Sequence, residues 1–213
     1  MKKIVIIGDG SITKMVREII NLRNEYKIVA VLDDKYKGEC FFKGGVCFAS
    51  IENFEFMLSD YYYFIAIGNN ERRQEIFEKL AKPHEKYPNL IHPAAIISPN
   101  AVIGFGNFIM AGAIINVDAS IGNQAIVNSA CVIGHDAVLR DFTQVSPGTV
   151  ITGYVQLGNG AYIGANATVL PDITIGKWSI TGAGSTVTKD VEANAVVIGT
   201  PARLMKYRKS LVR

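Results

Sequence analysis

Three histidines occur in this 213-residue chain, and their settings differ. His84 lies in a proline-flanked stretch running from Lys82-Pro83 to Tyr87-Pro88, His92 precedes Pro93, and His135 is followed directly by Asp136. An imidazole titrates near neutrality and so suits proton uptake, while a neighbouring carboxylate can fix its tautomer and stabilise the imidazolium. His135 and Asp136 therefore offer general-base chemistry, with a solvated turn histidine as the plainer alternative. A second set of residues sits where short apolar runs end: Gly8-Asp9-Gly10-Ser11, Asp33-Asp34 and Gly68-Asn69. Glycine lets a ligand approach the backbone, and strand-end acids can accept hydrogen bonds from a ribose or a base. Gly8 and Gly10 suit a tight strand-to-helix turn equally well. Thr13, standing where the dinucleotide fingerprint has its third glycine, disfavours a dinucleotide.

Positioning these groups requires two kinds of sequence. Residues 2–8 read as a buried strand, and residues 12–24 carry Met15, Val16, Ile19, Ile20 and Leu22 at helical spacing. A strand from Lys27 to Leu32 ends in Asp33-Asp34, and the run Tyr63 to Ile67 ends in Gly68-Asn69-Asn70 before a helix over about 71–81. Alternating strands and helices imply βαβ units around a parallel sheet, whose ligands bind beyond the carboxyl ends of the strands. The Lys82 to Pro88 stretch reads as a linker, giving domains over 1–88 and 89–213.

From Ile97 the pattern changes. Every sixth position from 97 to 187 is Ile, Val or Leu except Thr181, and a small or aliphatic residue follows four places later, with Asn107 the odd member. A period of six cannot form one face of an α-helix; it fits short strands joined by tight turns, each strand pointing one large residue inward. At three hexads per coil, stacking gives about five coils around a continuous aliphatic column.

The hexads, the ending Ile198-Gly199-Thr200-Pro201-Ala202-Arg203, and the segments Leu32-Asp33-Asp34, Phe64 to Asn70, Asn89-Leu90-Ile91-His92 and Ile133-Gly134-His135-Asp136 together resemble a known family. It is that of the bacterial hexapeptide-repeat sugar-nucleotide N-acetyltransferases that modify 4-amino sugars, of the bacillosamine-pathway type. The resemblance implies a Rossmann-like βαβ domain that holds the nucleotide sugar, then a left-handed parallel β-helix with a short C-terminal tail. It also implies a homotrimer with acetyl-CoA in the groove between neighbouring helices. By the same resemblance His135 is the catalytic base, Asp136 its acidic partner and Asn128 a further catalytic residue. Gly153 supplies a backbone donor to the thioester carbonyl, and Gly164, Ala165, Gly182, Ala183 and Arg203 lie along the coenzyme. Gly8, Gly10, Ser11, Asp33, Asp34, Gly68 and Asn69 fall to the nucleotide sugar. The chain departs from the family pattern at Ile12 and Thr13 in the Gly-rich loop, and at Gln144, where several relatives carry histidine.

The implied reaction moves acetyl from acetyl-CoA to the 4-amino group of a UDP-linked sugar, in synthesis of a surface glycan or exopolysaccharide. A carbonyl oxyanion needs a donor and the amine a proton acceptor, which are the roles left to Gly153 and His135. Sugar O-acetylation is one alternative, but relatives that perform it generally lack a βαβ domain. A non-catalytic sugar-nucleotide-binding scaffold is another. A zinc enzyme on this scaffold needs three converging imidazoles, and only His135 lies within the repeat, so no metal is expected. A net charge of +3, from 22 Lys+Arg against 19 Asp+Glu, argues against nucleic acid as partner. The basic tail Arg203, Lys206, Arg208, Lys209, Arg213 is the one cluster of positive charge. No apolar run is long enough for membrane insertion. Cys40, Cys47 and Cys131, odd in number and at no metal-like spacing, suggest a reducing, cytoplasmic setting.

Overall fold

In a computed structural model the described residues are 1–38, 40–52 and 61–208, and the chain divides into compact units Met1–Pro93 and Ala94–Arg213. The basic-tail residues Lys209 and Arg213 lie outside the described residues.

The first unit is built on strands β1 (Lys2–Ile7), β2 (Tyr26–Leu32), β3 (Cys40–Lys43), β4 (Val46–Ala49) and β5 (Tyr62–Ile65), in the sheet order β3-β4-β2-β1-β5. All neighbours run parallel except β3 against β4. Ile4 to Ile7 are fully buried, as a strand covered on both faces requires. Helix α1 (Ser11–Arg23) turns Thr13, Val16, Ile19 and Ile20 inward and ends at Asn24, whose left-handed backbone (φ 55°) lets its N–H reach the Ile20 carbonyl. Helix α2 (Asn70–Leu80) starts where the Asn69 side chain accepts the Arg72 N–H at 2.8 Å. The segment expected to be a linker belongs to this unit: Tyr87 is buried, its ring 5.0 Å from Phe77 and 6.2 Å from Tyr63. The β3–β4 hairpin is an addition to the sequence reading. Its turn is Gly44-Gly45, both with positive φ (59° and 77°), the geometry that a two-residue hairpin loop demands.

In the second unit each hexad supplies a two-residue strand, and strands stack in parallel with a coil of 18 residues, so that Ile115 pairs with Ile133, Ile133 with Ile151 and Ile151 with Val169. Three such sheets form a hexapeptide β-helix. We call the sheet through Ile133 face one, that through Leu139 face two and that through Val145 face three. The inward residues from Ile109 to Val187 form the column that the period of six implied, each at most about 2% exposed. Asn107, the odd member, is inside too; it satisfies both ends of its amide by donating to the Gly122 carbonyl and accepting the Ala125 N–H.

Each corner uses one residue in the left-handed region, at every sixth position from Gly106 to Gly184, with φ between 55° and 71°. Glycine holds some of these positions, but Asp118, Asp136, Asn166 and Asp172 are the polar types that tolerate it, and Phe142, Tyr154 and Trp178 are not. The glycines directly after inward residues have a different cause: a Cβ on Gly134 would lie 2.5 Å from the carbonyl carbon of Thr152 in the next coil. A hairpin of Ala195–Gly199 and Ala202–Tyr207 closes the last coil.

Thr181, the one hydroxyl in the inward column, is fully buried between Ile163 and Val197, and its Oγ1 has no hydrogen-bond partner. A buried unpaired hydroxyl costs about 1–3 kcal/mol. Thr181→Val keeps the shape and should raise stability by about 1–2 kcal/mol in urea denaturation; an unchanged or lower midpoint would show that the column gains nothing from losing the hydroxyl.

Candidate active site

His135 stands at the corner between faces one and two, two residues beyond the inward Ile133. Its Nδ1 lies 2.8 Å from Asp136 Oδ2, and both side chains are partly exposed, at 53% and 38%. Asp136 takes the left-handed conformation of that corner (φ 56°). The carboxylate accepts from Nδ1–H, which assigns the ring's lone pair to Nε2. One coil on is Gly153, at the same corner: a Cβ there would lie 2.6 Å from Cε1 and 2.7 Å from Nε2, so the imidazole rests on the space that glycine leaves. Next to it, Tyr154 presents its ring edge-on to the imidazole, with centroids 5.1 Å apart and planes at 88°. Sequence reasoning missed Tyr154. The available signal was an aromatic residue at a position where the hexad needs positive φ (61° here), a strain that tends to collect at functional sites.

The 18-residue coil sorts the other expected residues by corner. Asn128 lies seven residues before His135, at the corner between faces three and one, and its Oδ1 accepts the N–H of Ser129. Successive coils put Ser146, Gly164 and Gly182 above it, joined by N–H···O=C bonds from Asn128 to Val145, Ser146 to Ile163 and Gly164 to Thr181. Ala165 and Ala183 follow at the same corner. Within one chain the structure thus gathers His135, Asp136 and Gly153 at one corner, and Asn128, Gly164, Ala165, Gly182 and Ala183 at another. Face one lies between them. Its outward residues are Ile96, Ile114, Val132 and Val150, followed by Thr168 and Thr186, with Ile96 64% exposed. Arg203 is exposed on the C-terminal hairpin and lines a cleft of ≈ 270 Å³ with Val187, Lys189, Glu192, Val197 and Tyr207.

In the first unit Gly8, Gly10, Ser11, Asp33, Asp34, Gly68 and Asn69 meet at the carboxyl edge of the sheet. Gly8 is left-handed (φ 100°) and pressed so close to β5's extension that a Cβ would sit 2.8 Å from the Ala66 carbonyl oxygen. Gly10 is the N-cap of α1 with no side-chain cap, and Ser11 begins the helix, leaving first-turn N–H groups for an anion. Asp33 accepts the Asp9 N–H at 2.7 Å and the Lys35 N–H at 3.0 Å, while Asp34 pairs with Arg72 of α2 at 2.8 Å.

Asp9, between the two glycines of the loop, is clamped: Lys35 Nζ reaches its Oδ2 at 2.7 Å and the Tyr36 hydroxyl donates to the same oxygen at 2.6 Å. Burial pushes the Asp9 pKa up, but the hydrogen bonds from Lys35 and Tyr36 and the charges of Lys35 and Arg17 outweigh it and hold the group below its ordinary value. The bond to Asp9 raises Lys35, and desolvation followed by the same carboxylate raises Tyr36. On the other side of the sheet edge Arg73, buried and lowered to about 9 by desolvation, donates to the Ile67 carbonyl and Asn70 Oδ1 and so fixes the Gly68-Asn69 turn.

Among the described residues no helix is long and apolar enough to cross a membrane. Residues 3–80 match the family described as PglD N-terminal domain, and residues 154–189 match bacterial transferase hexapeptide (six repeats). The chain is 40% identical over 116 residues to the UDP-N-acetylbacillosamine N-acetyltransferase of Bacillus subtilis (strain 168), a match spanning 52% of this chain and 52% of that relative, or about half the length of each. Among solved structures it is similar to PerB from Caulobacter crescentus in complex with CoA and GDP-perosamine (TM-score 0.85, 32% identity, 97% of this chain and 98% of that one). It is also similar to the acetyltransferase domain of PglB from Neisseria gonorrhoeae FA1090 in complex with acetyl coenzyme A (TM-score 0.85, 31% identity, 96% and 99%).

Proposed function

We propose, from the premise that this chain belongs to the PglD-type hexapeptide-repeat sugar N-acetyltransferases, that it transfers acetyl from acetyl-CoA to the 4-amino group of a UDP-linked amino sugar. The observation that carries the reading is the imidazole seated on Gly153, with Nδ1 tied to Asp136 and Nε2 left to accept a proton. The amine attacks the thioester carbon, His135 Nε2 takes the proton released as the C–N bond forms, and the imidazolium is stabilised by Asp136. The backbone N–H of Gly153 serves the oxyanion, with no Cβ to hold the carbonyl away. Collapse expels the coenzyme thiolate, which the imidazolium can reprotonate.

We infer a homotrimer from the two separated corners. His135 and Gly153 stand on one side of face one, Asn128 and the Gly164 to Ala183 column on the other, and the row between them, Val132 and Val150 followed by Thr168 and Thr186, is a surface for a second copy. A cyclic arrangement in which each copy's His135 corner meets the next copy's Asn128 corner is heterologous and closes. That supports placing acetyl-CoA between copies and gives Asn128 a route to the reacting groups. The 40% identical relative, whose name carries UDP, supports that nucleotide over GDP.

The test is thiol release from acetyl-CoA with UDP- and GDP-linked 4-amino sugars. Turnover with the UDP-linked amine and little with the GDP-linked one is expected. Release with neither would remove the reading.

The Asp9 clamp adds a pH prediction. A depressed carboxyl stabilises above the unfolded value of about 3.9 and loses that contribution only as pH falls through its lower folded value; raised Lys35 and Tyr36 contribute below about 10 and lose it as pH rises through their folded values. The clamp therefore stays closed between these limits. KM for the nucleotide sugar should be flat from about pH 5 to pH 9 on its account, and Asp9→Asn should change KM by the same factor at both ends. A factor that grows toward one end would mean the clamp titrates in that range.

A further inference from the structure

Two thiols of the first unit take no part in the chemistry above. Cys40 on β3 and Cys47 on β4 hold their Sγ atoms 3.5 Å apart. The Gly44-Gly45 turn sets the register: Lys43 faces Val46, Phe42 faces Cys47, Phe41 faces Phe48 and Cys40 faces Ala49. Cys40 and Cys47 are thus diagonal neighbours on one face of the ribbon, and strand twist draws that diagonal together. The opposite face carries Phe41 stacked on Phe48, centroids 5.3 Å apart and planes 9° apart, with the Tyr36 ring edge-on to both at 5.5 Å and 5.8 Å. Tyr36 is the residue whose hydroxyl holds Asp9.

We propose that Cys40 and Cys47 form a reversible dithiol–disulfide site for low-molecular-weight disulfides of the glutathione type, and that closing it loosens Tyr36 from the Asp9 loop. Cys40 is exposed and attacks first; Cys47 is buried, and burial together with the Cys40 contact pushes its thiol up to about 11, which leaves it to the second step. The Cys40 thiolate attacks one sulfur of the reagent, forming a mixed disulfide and expelling one reagent thiolate, which takes up the Cys40 proton. The Cys47 sulfur then attacks the Cys40 sulfur and expels the second reagent thiolate, which takes up the Cys47 proton. Two electrons and two protons leave the protein, and the reagent's S–S bond becomes two thiols.

A disulfide bond is about 2.05 Å long, so the sulfurs must close by roughly 1.5 Å. Cys47 is fixed because β4 also pairs with β2, Cys47 opposite Ala30. The edge strand β3 yields instead. It carries Phe41 with it, and the Phe41–Phe48–Tyr36 cluster cannot keep its packing while its outer member moves. The effect on substrate rests on the reading of the Gly8 to Ser11 loop as the nucleotide side; the disulfide and the loosening do not.

The experiment treats the full chain with oxidised and reduced glutathione at graded ratios. Expected are an intact mass lower by two hydrogens and a tryptic cross-link joining the peptide that ends at Lys43 to the one that begins at Gly44. Cys40→Ser and Cys47→Ser each abolish it and Cys131→Ala leaves it. Amide exchange in residues 8–13 should become about tenfold faster on oxidation and recover with dithiothreitol, with UDP affinity falling in parallel. A glutathione adduct resting on Cys40 without the cross-link, a cross-link through Cys131, or unchanged exchange in the cross-linked protein would each overturn the proposal. Faster exchange with no change in UDP affinity upholds it and removes the nucleotide reading of that loop.

Discussion

Replacing His135 by alanine should lower kcat by about 10²–10⁴ while leaving KM for acetyl-CoA within about twofold, the signature of a group that acts in the transition state. The ring is half exposed and touches Asp136, Tyr154 and the bare Gly153 backbone, so its removal opens no cavity in the aliphatic column. The fold should therefore be unaffected, and a urea midpoint equal to wild type is the control that separates lost chemistry from lost structure. Thiol release from acetyl-CoA in the presence of the amino-sugar nucleotide reads the effect. Equal turnover in variant and wild type would remove His135 from the mechanism. Gly153→Ala approaches the same atoms from below: its Cβ would lie 2.7 Å from Nε2, and the imidazole must swing away, so this variant should lose kcat with His135 and Asp136 both present. Full activity there would mean that the ring position seen is not the working one.

The β-helix was legible because its determinant is local. One inward residue per two-residue strand repeats without a slip, and the period alone excludes an α-helix, so even Thr181 and Asn107 stood out before their surroundings were known. The corners were less legible. Gly134 and Gly158 follow inward residues and look like turn formers, yet they serve close approach of the next coil; the left-handed residue lies two places further on and is as often Asp, Tyr or Trp as glycine. That is why Tyr154 escaped notice. The β3–β4 hairpin is a harder case, since Cys40 to Phe48 is a nearly continuous apolar run broken only by Lys43-Gly44-Gly45, and its partner β2 is nearly contiguous with β1 in space but remote from it in pattern. Recognising Gly-Gly as a two-residue loop would have exposed both the hairpin and the cysteine diagonal. The Asp9 clamp depends on Lys35 and Tyr36 being delivered from 26 and 27 residues away, which no local pattern encodes. Asn128 shows the opposite limit: seven residues separate it from His135 in sequence, but one strand and a change of corner separate them in the coil.

That separation yields a prediction with an all-or-none character. Ala183 is exposed at the Asn128 corner, so Ala183→Glu should fold normally and place a bulky carboxylate in the path proposed above for the coenzyme. Alone it should lower turnover at least as far as the loss of about 10²–10⁴-fold expected of His135→Ala. If each site takes His135 from one copy and Ala183 from the next, random mixing of the two inactive variants at equal amounts restores intact sites wherever an Ala183→Glu copy presents its His135 to the wild-type Ala183 of a His135→Ala copy. Half of the neighbours on each side qualify, so about a quarter of wild-type activity should return after co-expression or co-refolding, with no new contact made in either chain. If both corners serving one coenzyme belonged to the same chain, every site would carry one lesion and no activity would return. The result does not depend on which sugar is the substrate, because both lesions lie in the β-helix and both variants keep residues 1–93 intact.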